Sequence, residues 1–212
     1  MEQFITISKN SQAEIIEKKS KFIANIFKVE TEEEAENILK SIKKKYYDAR
    51  HNCYAYRVLQ KNQIIKKSSD DGEPSGTAGA PMLAILEKLE LTNLLVIVTR
   101  YFGGILLGTG GLVKAYTEVT KKALEIVDIQ YMQKGYLMEV ILPYSDLQKF
   151  KYFCRINQIE IKKENYLDNI ILYIELSQKN KEKILKEYQN FTFKIIKSKI
   201  LEEKYICKNT DI

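Results

Sequence analysis

The distribution of glycine is the feature of this sequence that most constrains its fold. Eight of the nine glycines lie between Gly72 and Gly111, in the segments SDDGEPSGTAGAP (69–81) and RYFGGILLGTGGL (100–112). Glycine tolerates positive φ angles and lets another backbone or a ligand approach closely. Because helix periodicity follows both segments, the sequence predicts two tight loops that each lead into a helix.

The strands predicted in the first 130 residues flank these loops. Residues 13–29 have the pattern of two strands around a Lys-rich turn, and residues 51–68 that of a hairpin turning at Lys61–Asn62. The segment LLVIV (94–98) is continuously apolar, which is typical of a strand buried on both faces or central in its sheet.

Three helices are predicted in the same part of the chain. The first follows a capping box formed by Thr31 and Glu34. The second takes Thr77 as its N-cap and has Pro81 in its first turn, where proline does least harm. The third takes Thr109 as its N-cap and places apolar residues along one stripe.

The pattern restarts near residue 130 with the order β-α-β-β-α-β, including a Ser145/Gln148 capping box at the first helix. This order is the one found in ferredoxin-like domains. We therefore predict an α+β protein of two domains, residues 1–130 and 131–212.

Composition and charge bound the class of protein. The apolar content of 45% and charged content of 29% are values of a globular protein. The net charge of +6 permits an anionic partner without requiring one. Three widely spaced cysteines favour a reducing compartment over a disulfide framework. The N-terminus lacks signal-peptide character and no stretch approaches the roughly 18 apolar residues of a membrane span, so we expect a soluble, cytoplasmic protein without a membrane partner.

The second glycine segment has the features of an anion site. Loops of this kind can turn several N–H groups toward one point, and a helix N-terminus also favours negative charge. Arg100 begins the segment and Lys114 lies one turn into the following helix. The P-loop pattern fails because Thr109 stands where lysine is needed, and the dinucleotide pattern fails at Val113. The alternative is that both glycine loops are tight connections packed on the sheet.

Three carboxylates, Asp70, Asp71 and Glu73, lie in the first glycine segment. They could hold a divalent cation through oxygen ligands, receive basic groups of a partner, or cap turns by accepting from nearby N–H groups. His51 is the single histidine, and on a strand it would share a face with Cys53. A Cys/His nucleophile pair is therefore conceivable, against an ordinary strand cysteine and a hydrogen-bonded histidine. We assign no catalytic residue, no metal and no cofactor.

Basic clusters beside tyrosines suit a sugar-phosphate backbone and stacked bases, although such charge runs are more often solvated faces. These residues are Lys18, Lys19, Lys21, Lys43–Lys45, Lys66 and Lys67, with Tyr46, Tyr47, Tyr54 and Tyr56 nearby in sequence.

Read together, SDDGEPSGTAGAPML and VTRYFGGILLGTGGLVKAYTEV strongly resemble the IMPACT family, whose bacterial members are called YigZ-like. The segments KSKFIANI and DARHNCYAY match it as well, so the resemblance covers about residues 10–128. It implies a first domain that is an α/β sandwich, similar to the second domain of a small-subunit ribosomal protein. It also implies a second, ferredoxin-like domain similar to one in elongation factor G.

The resemblance also implies a function. Eukaryotic relatives act in translational control by competing for an activator of a nutrient-sensing kinase, but they carry a different extra domain, so the kinase role is not extended to this chain. We expect a non-enzymatic factor that binds RNA, the ribosome or a translation-linked protein. The alternative is an enzyme acting on a small phosphorylated or acylated substrate between the two glycine loops. The expected binding residues are His51, Asp70, Asp71, Glu73, Ser75, Thr77, Arg100, Tyr101, Gly103, Gly104, Gly108, Gly110, Gly111 and Lys114.

Overall fold

A computed structural model describes residues 1–187 and 193–208. The chain divides into two compact units, one comprising residues 3–130 and the other beginning at Tyr131. Each unit contains a β-sheet with helices, so the predicted α+β class is confirmed.

The first unit contains an antiparallel sheet of five strands in the order β2-β3-β6-β4-β5. Three helices accompany it, and a short strand, β1, precedes it. Their bounds are β1 Gln3–Ile7, β2 Ser11–Glu17, β3 Ser20–Lys28, α1 Glu32–Lys45, β4 His51–Gln60, β5 Gln63–Ser69, α2 Gly79–Lys88, β6 Leu94–Tyr101 and α3 Gly108–Leu124.

Strand β6 is the centre of this sheet and is buried on both faces, as its apolar run predicts. Leu94, Val96 and Val98 face the core beneath α2 and α3. Leu95 and Ile97 face a second core beneath α1. The sheet therefore holds α1 on one side and the α2–α3 pair on the other.

The local signals for turns and caps were partly correct. The hairpin turn falls at Lys61–Asn62, where both residues have positive φ, as predicted. Thr31 caps α1 by accepting from the Glu34 amide at 3.0 Å. Thr77 and Thr109 do not cap. The Thr77 hydroxyl instead donates to the Pro74 carbonyl, and Thr109 lies inside α3, which begins one residue earlier.

The second unit has the predicted β-α-β-β-α-β order, and its sheet is antiparallel with the strand order β10-β7-β9-β8. This is the ferredoxin-like arrangement, in which the third strand lies between the first two. The expected Ser145/Gln148 box is not formed, because residues 144–146 make a 3-10 turn and α4 begins at Leu147. The bounds are β7 Ile129–Leu142, α4 Leu147–Ile156, β8 Glu160–Tyr166, β9 Ile170–Ser177, α5 Gln178–Glu187 and β10 Lys197–Cys207.

Candidate functional site

A buried ion pair joins the two glycine-rich segments. The Arg100 Nη1 donates to Glu73 Oε1 at 2.6 Å, and the two side chains expose only 6% and 3% of their surface. The guanidinium also lies 5.2 Å from the centre of the Phe22 ring. Arg100 is the last residue but one of the central strand and Glu73 lies in the loop after β5, so the pair fixes that loop over the end of the sheet. The positive charge of Arg100 is therefore already neutralised by a buried partner.

Asp70 forms the cap that sequence assigned to Thr77. Its carboxylate accepts from the amides of Gly76, Ala78 and Gly79 at 2.8, 2.9 and 2.8 Å, and the last two amides open helix α2. Burial alone would raise the pKa of Asp70, but these three hydrogen bonds outweigh it and lower the pKa below its ordinary value. The negative charge lies at the positive end of the α2 dipole, so Asp70 serves the fold of its own loop.

Asp71 ties the same loop to β4 and α1. One carboxylate oxygen accepts from the Asn52 amide at 2.7 Å, and the other pairs with Lys43 Nζ at 2.6 Å. The Asp71 carbonyl oxygen lies 2.8 Å from His51 Nδ1. Because a carbonyl only accepts, Nδ1 carries the proton, and Nε2 of His51 is left 3.9 Å from Glu73 Oε1.

The Cys53 thiol does not form a nucleophile pair with His51. Its Sγ lies 2.9 Å from the Asp70 carbonyl oxygen and 3.3 Å from the Tyr116 hydroxyl, which itself donates to Glu73 at 2.9 Å. Burial raises the pKa of Cys53 to about 12. The thiol is therefore protonated at neutral pH, and the hypothesis of a Cys/His nucleophile is not supported by this geometry.

The glycines serve different purposes along the second segment. A Cβ on Gly103 would lie 2.0 Å from the backbone carbon of Lys19, so this glycine permits two backbones to touch. Gly104 and Gly108 have φ of +83° and +73°. A Cβ on Gly110, which lies in the first turn of α3, would meet no described atom within 4 Å. Close packing against the Lys19 backbone therefore requires a glycine at position 103. The open space around Gly110 means that packing does not require a glycine there.

A cavity of about 510 Å³ opens at the N-terminus of α3. The first turn of this helix, all of which the structure describes, has no acidic residue and no side-chain cap at Leu107. Its amides therefore present partial positive charge to the cavity. The cavity is lined by Arg50, His51, Gly72, Glu73, Pro74, Arg100, Phe102, Leu106, Leu107, Gly108, Thr109 and Leu112.

Sequence reasoning missed Arg50, whose guanidinium lies 5.8 Å from the centre of the Phe102 ring. Arg50 is exposed and lines the cavity, whereas Arg100 is buried and paired. The signal was present, because Arg50 directly precedes the single histidine. Tyr116 lies on the apolar stripe of α3 and is a buried core residue. Sequence reasoning missed that its hydroxyl also donates to Glu73.

Of the predicted binding residues, His51, Glu73, Arg100 and Gly108 line the cavity, and the other predicted residues are not part of its lining. Tyr101 donates to Asp48 at 2.9 Å, and Ser75 and Lys114 are exposed outside the cavity lining. Gly111 lies in α3 with Leu107 Cβ 3.0 Å from its would-be Cβ.

No group of three or more His, Cys, Asp or Glu side chains among the described residues is arranged to hold a metal ion. The helices within residues 1–187 and 193–208 include none with the length and hydropathy needed to cross a membrane.

Comparisons with known proteins cover both units. Residues 18–124 match the Impact N-terminal domain, and residues 140–192 match a domain of unknown function, DUF1949. A Bacillus subtilis protein described as "IMPACT family member YvyE" is 38% identical over 182 residues, covering 85% of this chain and 83% of that protein. Escherichia coli "IMPACT family member YigZ" is 43% identical over 114 residues, covering 53% of this chain and 56% of that one.

A solved structure is similar over nearly the whole chain. It is described as the crystal structure of a hypothetical protein, is 29% identical and superposes with a TM-score of 0.62. The alignment covers 92% of this chain and 97% of that one, so the likeness includes both units.

Proposed function

The chain belongs to the IMPACT family, and we propose that it acts in translation as a non-enzymatic cytoplasmic factor that binds RNA, free or in the ribosome, at the cavity before α3. The observation that carries this proposal is the uncapped N-terminus of α3 opening into a cavity that Arg50 lines. The resemblance noted above, in which eukaryotic relatives act in translational control, supports the link to translation.

The electrostatics of the cavity favour an anionic group. A helix N-terminus behaves as about half a positive charge, and the α3 amides of Gly108, Thr109 and Gly110 belong to exposed residues. Arg50 adds a full charge. Glu73 also lines the cavity, but its charge is neutralised by Arg100 at 2.6 Å. The balance at the cavity is positive, and a phosphate oxygen is the kind of acceptor that such amides bind.

The surroundings of the cavity favour a nucleic acid over an isolated anion. Phe102 and Leu106 expose 39% and 83% of their surface at its rim. The turn that contains Lys18 and Lys19 lies beside Gly103, because the Gly103 amide donates to Ser20 at 3.1 Å. An exposed ring with basic groups alongside, here Phe102 with the lysine turn, is what base stacking and phosphate contacts require.

An enzyme acting on a small phosphorylated or acylated substrate is the second candidate, because a cavity of about 510 Å³ is large enough for one. The neighbouring side chains speak against covalent catalysis. Cys53 is a protonated thiol whose pKa is raised to about 12 by burial. Glu73 is occupied by Arg100 and Tyr116. Turnover of such a substrate that is lost in a His51→Ala variant would favour this candidate.

The test of the RNA proposal is a titration of labelled single-stranded RNA at several salt concentrations. If phosphates are bound, the logarithm of affinity falls linearly with the logarithm of salt, by about 0.7 per neutralised phosphate. Arg50→Ala should weaken binding to many sequences alike and make that slope shallower. Lys40→Ala is the matched control, since Lys40 is an exposed cation of α1, on the other face of the sheet. Arg100→Ala is a poor probe because it would unpair buried Glu73.

The same series distinguishes the alternatives. Inorganic phosphate that raises the melting temperature of wild type but not of Arg50→Ala, in a protein that ignores RNA, would replace the RNA proposal with a small anionic ligand. RNA affinity that is equal in wild type, Arg50→Ala and Lys40→Ala would contradict RNA binding at this cavity.

A further inference from the structure

A second cavity, of about 610 Å³, lies on the first unit between α2 and α3. It involves the second half of α3, from Thr117 onward, whereas the anion cavity ends at Leu112. Lys121 is twelve residues from Thr109, or about 18 Å along the helix at about 1.5 Å per residue. The two cavities are thus separate sites, and α3 contributes residues to both.

The groove between α2 and α3 has an apolar floor. Ile85, Leu91 and Leu124 are buried beneath it, while Leu89 and Ile129 expose 47% and 43% of their surface along it. Exposed apolar residues that surround a concave space of several hundred Å³ are typical of ligand pockets. The floor can therefore take an apolar chain out of water without any rearrangement of the sheet.

Charged groups at the rim of the groove are predominantly positive. Lys88, from the last turn of α2, and Lys121, from α3, both line it, together with Glu125. Within residues 1–187 and 193–208, neither lysine has a carboxylate within ion-pair distance, in contrast to Lys122, which lies 3.6 Å from Glu118. Two cations against one carboxylate leave a net positive charge beside an apolar floor.

We propose that this groove binds a linear carboxylic acid. Its hydrocarbon chain would lie on the floor formed by Ile85, Leu91 and Leu124, and its carboxylate would pair with Lys88 and Lys121. A purely apolar ligand would gain nothing from the two exposed lysines, and a compact anion such as phosphate would leave the floor exposed to water. A ligand with both parts uses the apolar and the charged lining together.

The test is a titration of the full chain with octanoate, decanoate and dodecanoate below their micellar concentrations, followed by calorimetry. Each added methylene that enters the groove should tighten binding about fourfold, the equivalent of about 0.8 kcal/mol. The alcohols of the same lengths serve as the uncharged comparison. They should bind measurably more weakly, because they cannot pair with the lysines.

Three variants assign the binding to this groove. Ala84→Phe, at an exposed position that lines the groove, should abolish binding by filling it while leaving the fold intact. The double variant Lys88→Gln/Lys121→Gln should bind acids no better than alcohols. Lys122→Gln, which changes an already paired lysine of the same helix, should bind as wild type does. Absence of acid binding, or equal binding by wild type and Ala84→Phe, would overturn the proposal, as would equal affinity for acids and alcohols.

Discussion

Arg100 and Glu73 form a buried ion pair, with Nη1 and Oε1 2.6 Å apart, across 27 residues of sequence. The pair joins the C-terminal end of the central strand to the loop that precedes α2. A buried pair of this kind stabilises a particular loop arrangement more than it stabilises the protein overall, because both charges were removed from water. Because Arg100 and Glu73 neutralise each other beside the cavity, the positive charge available to a ligand there comes from Arg50 and the α3 amides.

Removing one member of this pair should be costly. Glu73→Gln leaves the Arg100 guanidinium charged and almost fully buried, so we expect a loss of about 3 kcal/mol in the free energy of unfolding. Urea denaturation measures it. The control is Glu87→Gln, which breaks the exposed pair with Lys66 and should cost less than about 1 kcal/mol. Equal losses in the two variants would contradict the buried pair.

Asp70 should make the free energy of unfolding depend on pH in the acid range. Its pKa is lowered in the folded protein, so its contribution is present above the unfolded pKa and is lost as pH falls through the folded value. Asp70→Asn removes the charge from the helix N-terminus and replaces one of the two accepting oxygens by an NH2 group, so it should lose about 1 kcal/mol of stability at pH 7. The variant should also show a smaller further loss between pH 5 and pH 2 than wild type. Parallel pH profiles for the two proteins would show that Asp70 is not the cap.

Two glycines of the second segment should respond oppositely to alanine. Gly103→Ala forces a Cβ to within 2.0 Å of the Lys19 backbone, so the protein should be strongly destabilised or fail to accumulate. Gly110→Ala places a methyl group in open space within a helix, and should be neutral or stabilising by up to about 1 kcal/mol. Thermal unfolding of both variants decides the matter. A stable Gly103→Ala protein would contradict the close contact between these backbones.

The cysteines should differ in reactivity. Burial raises the pKa of Cys53 and of Cys154 to about 12, so both remain thiols at pH 8, whereas Cys207 is exposed. Iodoacetamide followed by peptide mass spectrometry should label Cys207 first in the native protein, and all three cysteines after denaturation. Labelling of native Cys53 as fast as Cys207 would restore the possibility of a nucleophilic cysteine.

The features that the sequence predicted correctly are those that depend on neighbouring residues in the chain. The apolar run of β6 and the apolar stripe of α3 indicate which faces of these two elements are buried, and the structure confirms both. The hairpin turn at Lys61–Asn62 is likewise local, because two adjacent residues supply the required backbone angles.

The roles of the charged residues were harder to predict because they depend on contacts between distant segments. The cap of α2 is Asp70 and not Thr77, which is adjacent to the helix in sequence. Asp70 lies eight residues before Ala78, whose amide it binds. Arg100 begins the second glycine segment and was therefore a candidate anion ligand. Its charge is instead neutralised by Glu73, which only folding brings near. The exposed cation at the cavity, Arg50, precedes a strand whose pairing with β6 places it there.

The most direct test of the anion cavity is Thr109→Asp, with Thr109→Asn as the neutral comparison of the same shape. A carboxylate in the uncapped first turn of α3 should stabilise the helix by about 0.3–1 kcal/mol, since it complements the dipole. The same charge occupies the place of a phosphate. We expect Thr109→Asp to unfold at an equal or higher temperature than Thr109→Asn and to bind RNA at least tenfold more weakly. Equal RNA affinity in the two variants would contradict RNA binding at this cavity.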